Sequence, residues 1–181
     1  MSKSKIIALT VLIILSATIP TYAQEAQEIG GLKTEFLCEV KVYLVKPPQM
    51  VGQGPHGTRM IYHVTGGTVK GPKLSGEVLP GPADWLLIRP DGAGQLDVRA
   101  TIRTDDGQLI YVHYRGILLI APEVMQRIEK GESVDPSEYY FRTTPIFETG
   151  AEKYSWLNQV ISVGVGTVGQ DFVSYKIYVI R

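Results

Sequence analysis

Leu96-Asp97-Val98-Arg99-Ala100-Thr101-Ile102-Arg103-Thr104-Asp105-Asp106-Gly107-Gln108-Leu109-Ile110-Tyr111-Val112 is the stretch that decides the fold. Leu96, Val98, Ala100 and Ile102 alternate with Asp97, Arg99, Thr101 and Arg103. Only a strand sends successive side chains to opposite faces. Asp105-Asp106-Gly107 follows, and Gly accepts the positive φ that a tight turn needs. A second apolar run begins directly behind it, so the stretch reads as an antiparallel hairpin.

The same period of two continues in both directions. Phe36, Cys38, Val40, Val42 and Leu44 fall on one side of an extended segment, with Glu35, Glu39 and Lys41 on the other. Ile161, Val163 and Val165 alternate with Ser162, Gly164 and Gly166, and Val173, Tyr175, Ile177 and Val179 close the chain. Gly66-Gly67, Leu79-Pro80-Gly81-Pro82 and Pro90-Asp91-Gly92 supply turns between runs. Residues 47–57, rich in Pro and Gly, read as a long surface loop. The pattern predicts about nine or ten strands, the range of sandwiches and barrels. A closed antiparallel β-barrel is the preferred all-β architecture, because closure removes every unpaired edge.

One segment departs from the strand period. Residues 122–130 open with Pro122, carry Glu123 in the first turn and Arg127 and Lys130 toward the end, and run into Gly131. Val124, Met125 and Ile128 recur at helical spacing, which predicts one short helix.

The N-terminus has the three-part order of a secretory signal: Lys3 and Lys5, an apolar run over 6–19, then Thr21-Tyr22-Ala23. The run is shorter than the roughly 20 apolar residues of a spanning helix. The expected organisation is a signal peptide at 1–23, a short leader at 24–33 and a single barrel domain at 34–181. The mature chain is then exported, periplasmic or secreted, with no stable membrane insertion after cleavage. Loss of Lys3 and Lys5 leaves 16 of the 18 basic residues facing all 18 acidic ones. That balance argues against a nucleic-acid partner, which calls for a basic stripe. Cys38 is the single cysteine, so no internal disulfide forms, and its alternating context reads as a small core residue.

Several stretches resemble a bacterial and fungal family, domain of unknown function 3237. They are Gly71-Pro72-Lys73-Leu74-Ser75-Gly76-Glu77-Val78-Leu79-Pro80-Gly81, Ala83-Asp84-Trp85, Arg89-Pro90-Asp91-Gly92 and Leu96-Asp97-Val98-Arg99. Thr104-Asp105-Asp106-Gly107, Ile110-Tyr111-Val112, Tyr139-Tyr140-Phe141-Arg142, Phe147-Glu148-Thr149-Gly150 and Tyr154-Ser155-Trp156-Leu157-Asn158 follow in the same order. The resemblance covers most of the chain from about Thr34 and implies a β-barrel domain. It assigns no reaction. Pro82 departs from the Pro-Gly-Gly turn of the family, which bears on where Asp84 sits.

No strong catalytic motif appears. His56, His63 and His113 lack metal-ligand spacing, so no metal site is predicted. Ser155 and Ser162 have no nucleophile-elbow context. Gly164-Val165-Gly166 lies in a strand pattern without a following helix, so it is no dinucleotide fingerprint, and no cofactor is predicted. The candidate ligand-binding residues are Asp84, Trp85, Asp97, Arg99, Tyr111, Tyr140, Arg142, Trp156 and Asn158. Asp97 and Arg99 share a strand face with Thr101 and Arg103. If the opposite apolar face packs outward on a helix or subunit, this polar set lines the barrel. The alternative, which an isolated alternating strand favours, is an ordinary solvated outer face. The family resemblance at Asp97 and Arg99 speaks for the inward placement. Trp156 with Asn158, and Tyr140 with Arg142, fall two apart and share faces if extended. An aromatic body beside an amide or guanidinium suits a ring bearing carboxylate or hydroxyl groups.

Three functions fit these residues. The first is a barrel that binds a small aromatic or carboxylate-bearing molecule in its mouth. The second is a cofactor-free acid/base enzyme, an isomerase, cyclase or hydratase, with Asp84 or Tyr111 moving a proton and Arg99 or Arg142 holding an oxyanion. The third is an interaction module whose apolar strand faces build a homo-oligomer.

Overall fold

The structure is a computed structural model that describes residues 31–181 in full and the backbone of Glu28–Ile29. The signal peptide expected at 1–23, and residues 24–27 and 30 of the expected leader, lie outside the described residues.

Alternation has produced long strands wherever it was sustained. The strands are β1 (Glu28–Ile29), β2 (Leu32–Leu44), β3 (Gln49–Gly54), β4 (Gly57–Lys70), β5 (Gly76–Val78), β6 (Ala83–Asp84) and β7 (Leu87–Ile88). They continue as β8 (Gly94–Thr104), β9 (Leu109–Leu119), β10 (Tyr140–Thr143), β11 (Ile146–Glu148), β12 (Ile161–Val168) and β13 (Phe172–Ile180). All pairings are antiparallel. They run β2-β13-β12-β10-β9-β8, then through the short pieces β5, β6 and β7 to β4, and β4 pairs back onto β2. The result is a closed barrel of eight positions. One position is divided among three short strands, and β11 continues the line of β10 along β9.

Inside the barrel, alternate residues of neighbouring strands meet: Val42 of β2, Val64 of β4, Leu96, Val98 and Ile102 of β8, Ile110 and Val112 of β9, and Ile177 of β13. Leu96 is 2 % exposed, whereas the Arg99 side chain is 54 % exposed. This is the solvated outer face, and it overturns the inward placement of Asp97 and Arg99 that the candidate site required. Among the described residues no helix lies along the outer wall of β8 for Leu96 and Val98 to pack on. The apolar face therefore goes inside, where it leaves water, and the charged face avoids desolvation.

Two other local expectations are corrected. Residues 47–57 are not a loop: β3 forms a hairpin arm with the start of β4, paired from Gln49↔Ile61 to Gly54↔Gly57. Its side chains are nearly all exposed, Met50 and Val51 included, so no buried face imposes an alternation to read. Glu152–Gln159 is a 3-10 helical segment instead of an extended one, so Trp156 and Asn158 do not share a strand face. The predicted helix is present as α1 (Pro122–Glu129), with Pro122 in its first turn and Arg127 in its last. Arg127 pairs with Glu138 at 2.5 Å and with Glu132 at 3.4 Å, which anchors α1 to the turn behind it.

The two ends of the barrel differ. Register places Gly94 opposite Leu118 at one end, next to α1, and Arg103 opposite Leu109 at the other. At the far end the turn 105–107 is held by Asp106. Its carboxylate accepts from Thr104 Oγ1 at 2.5 Å, Lys153 Nζ at 2.5 Å and Tyr154 Oη at 3.0 Å. Tyr154 and Leu157 are buried there. The end near α1 is where the interior stays open.

Candidate functional site

A cavity of about 140 Å³ occupies the α1 end of the barrel, walled by Val42, Leu44, Val64, Leu96, Val98, Phe141 and Val173. Met125, Ile128 and Glu129 of α1 lie across it. A water needs roughly 10–15 Å³ on such a measure, so the space holds a small organic molecule.

Four polar side chains enter this apolar chamber: Asp84, Tyr62, Tyr114 and Tyr175. Asp84 ends the two-residue strand β6, which sits between β4 and β8 with Asp84 opposite both Tyr62 and Val98. The Pro82 carbonyl accepts the Val64 N–H at 2.9 Å, so the turn that carries Pro82 is stitched to β4 just before Asp84. The Asp84 carboxylate accepts the backbone N–H of Asp97 at 3.1 Å. Burial pushes the Asp84 carboxyl up to about 7. The Asp97 N–H opposes that rise, the Asp97 carboxylate adds to it, and Arg59 opposes it.

The tyrosines stay protonated in the same surroundings. Burial raises Tyr62, and the charge of Asp84 raises it further. Burial also raises Tyr114 and Tyr175 well above the ordinary tyrosine range. The Tyr175 ring meets Tyr114 edge-on at 5.5 Å and Phe141 at 5.3 Å. Such a chamber offers hydroxyl donors, one titrating acid and flat aromatic walls.

At the rim stand Lys46, Glu129 and Gln170. Lys46 donates to the Gln170 carbonyl and lies 3.9 Å from Asp171, while Gln170 Nε2 donates to the Glu129 carbonyl at 3.4 Å. These contacts tie the end of β2, the β12–β13 turn and α1 together around the opening.

Below the chamber lies a smaller void of about 40 Å³, lined by Val40, Val78, Ala100, Ile102, Thr143, Phe147 and Ile177 among others. Val42, Val64, Val98, Tyr114 and Tyr175 border both spaces.

Of the residues singled out from sequence, the structure places only Asp84 in this cavity. Trp85, 39 % exposed, points outward, and its carbonyl accepts from Arg59. Asp97 and Arg99 pair with each other at 3.0 Å on the outer wall. Tyr111 is outside as well, its ring 5.9 Å from that of His113. Tyr140 is exposed, with the Arg142 guanidinium 5.2 Å from its ring centre. Arg142 also donates to the Phe141 carbonyl at 2.9 Å. Trp156 lies at the far end between Lys73 and Arg181, 5.8 and 5.4 Å from its ring. Asn158 braces a turn, accepting the Thr149 N–H at 2.8 Å and donating to the Thr149 carbonyl at 2.9 Å. The nine do not converge on one cavity.

Tyr62, Tyr114, Tyr175 and Thr143 were missed. A signal existed: Tyr175 stands in phase with Val173 and Ile177, and Tyr114 with Ile110 and Val112. A polar-tipped aromatic in phase with the core set of a barrel strand is a candidate for the cavity wall. The Gly164-Val165-Gly166 pair also gains a structural meaning. A Cβ at Gly166 would come within 2.4 Å of the Phe141 ring, so the bare backbone lets Phe141 lie against β12.

Comparison with known proteins agrees with the fold. The family model described as "Protein of unknown function (DUF3237)" matches residues 32–180. A UPF0311 protein of Clostridium acetobutylicum is 39% identical over 135 residues, covering 74% of this chain and 85% of its own length. A conserved protein of unknown function from Rhodopseudomonas palustris superposes with TM-score 0.77 at 35% identity, covering 83% of this chain and 98% of that one. A β-barrel-like protein from Acinetobacter baumannii gives TM-score 0.72 at 36% identity, covering 83% and 96%.

Proposed function

This chain belongs to the DUF3237 family of proteins of unknown function, and we propose that its barrel cavity binds a small aromatic molecule bearing a hydroxyl or carbonyl group. The observation that carries the reading is Asp84, a half-buried carboxyl that lines an apolar, aromatic-walled chamber beside three tyrosines. Such a group costs desolvation and is balanced when a ligand supplies a hydrogen bond. Flat walls from Phe141, Tyr114 and Tyr175 favour a ring over a flexible chain. A carboxylate-bearing ligand would leave its charge at the rim beside Lys46, because deep in the chamber it would face Asp84.

The test is calorimetric titration of the protein with 4-phenylphenol. Binding should show a negative heat-capacity change, as burial of apolar surface requires. Val64→Trp, which fills the chamber, should abolish it. Asp84→Leu should weaken it about tenfold, the scale of one buried hydrogen bond. Equal binding by wild type and Val64→Trp would remove the cavity as the site.

One observation also favours acid/base turnover on the same ligand class. A carboxyl held at about 7 exchanges its proton near neutral pH, which is where a general acid or base works best. The two readings separate on the ligand recovered after incubation: unchanged if bound only, altered if turned over. Asp84→Asn would then keep binding and lose turnover.

A further inference from the structure

Thr143 presents a problem that the upper chamber does not solve. It lies on β10, is 2 % exposed, and its hydroxyl has no hydrogen-bond partner. Its strand neighbours are Gly116 on β9 and Gly164 on β12. A Cβ at Gly164 would fall 2.3 Å from Thr143 Oγ1, and one at Gly116 would fall 2.7 Å from its Cγ2. Both flanks are thus bare backbone, and the side chain faces the deep void of about 40 Å³. The other walls there are aliphatic or aromatic, such as Val78, Ile102 and Phe147. Tyr114 and Tyr175 also border the void, packed edge to face with ring centres 5.5 Å apart. Buried hydroxyls are almost always paired, and an orphan calls for an explanation.

We propose that this deep void is a second polar subsite, in which the Thr143 hydroxyl bonds the far end of an elongated aromatic ligand whose near end meets Asp84. The inference rests on the ligand reading above and narrows it. The two spaces share Tyr114, Tyr175, Val42, Val64 and Val98 as walls, so a ligand that reaches from one into the other passes between these side chains. A molecule that fills both is flat and apolar in the middle and carries a hydroxyl or carbonyl at each end. The deep space admits about three waters' worth of volume, which suits one such terminal group. A purely apolar terminus would leave Thr143 unpaired, so the site selects against it.

The probes are 4-phenylphenol, with one hydroxyl, and 4,4′-dihydroxybiphenyl, with two. Wild type should bind the diol about tenfold more tightly, the size of one buried hydrogen bond. Thr143→Val keeps the shape of the side chain and removes its hydroxyl. It should bind both probes with the affinity wild type has for the monophenol, and its thermal midpoint should be equal or higher, since no partner is lost. Thr143→Ser should retain the preference for the diol. A diol preference that persists in Thr143→Val, or is absent from wild type, would overturn the subsite while leaving monophenol binding intact. Failure of the monophenol itself would instead overturn the ligand reading, and the subsite with it.

Discussion

The backbone N–H of Asp97 donates to the carboxylate of Asp84 at 3.1 Å, while the Asp97 side chain turns the other way to meet Arg99 at 3.0 Å. One residue of β8 therefore serves both surfaces of the barrel wall. Its main chain orients an acid toward the interior, and its side chain belongs to an ion pair in solvent. The bond also fixes β6, which is only two residues long and has little ladder of its own.

Asp84 should leave a mark on the pH dependence of stability. In the folded chain its carboxyl is raised to about 7, and in the unfolded chain it titrates near 3.9 or so. Between these values the folded state holds a proton that the unfolded state has lost, so stability is greatest at low pH and falls as pH rises toward 7. Asp84→Asn keeps an oxygen for the Asp97 N–H and has nothing to ionise. It should match wild type near pH 4 and exceed it by about 2–4 kcal/mol at pH 8. Urea unfolding at the two pH values measures the difference, and a constant difference would place the titration elsewhere.

Arg99 tests the assignment of faces. Its pair with Asp97 is solvent-exposed, 54% and 39% for the two side chains. Arg99→Ala should change stability by no more than about 0.5 kcal/mol and leave 4-phenylphenol affinity unaltered. A loss of binding would return the site to the outer wall of β8.

Gly166 tests the packing that shapes the cavity. Phe141 is 1 % exposed and lies against the Gly166 backbone, with no room for a methyl group. Gly166→Ala should destabilise by about 1–3 kcal/mol, the range of core overpacking. Chemical denaturation reads this directly, and a variant as stable as wild type would mean that the Phe141 ring moves without cost.

Asp106 should govern the acid limb. Its bonds from Lys153, Thr104 and Tyr154 hold its carboxyl down at about 2. Stability from these bonds is present above pH 4 or so and is lost as pH falls through about 2. Asp106→Asn should lower the thermal midpoint at pH 7, with the gap to wild type closing toward pH 2. A gap that widens in acid would contradict the assignment.

Much of the fold was legible because its signals are local. The β8–β9 hairpin needs only alternation and the Asp105-Asp106-Gly107 turn, where Gly107 has φ +82°. The helix needs only Pro122, the charges at its two ends and Gly131. What alternation does not say is which of two faces is inside. That depends on what else the chain has to cover a wall, and here the answer sent Leu96 in and Arg99 out. The position shared by β5, β6 and β7 was illegible for another reason: pieces of two or three residues are too short to show a period. The site was mostly hidden because Tyr62, Tyr114 and Tyr175 look like core residues until the cavity between them is seen. Asp84 alone announced itself, as an acid beside a Pro-Gly turn.

The order of strands around the barrel also bears on how the chain reaches it. Phe172–Ile180 is the last strand in sequence, yet it lies between β2 and β12, with Phe172 opposite Tyr43 and Ile180 opposite Thr34. More than a hundred residues separate these partners, so the loop that joins them closes at high entropic cost and late. Until then β2 and β12 each present an unpaired edge. A chain interrupted before Phe172 keeps every other strand and still lacks a wall. Assembly of the interior thus waits on a strand far in sequence from its β2 partner, and folding should proceed at the slow rate of a non-local topology.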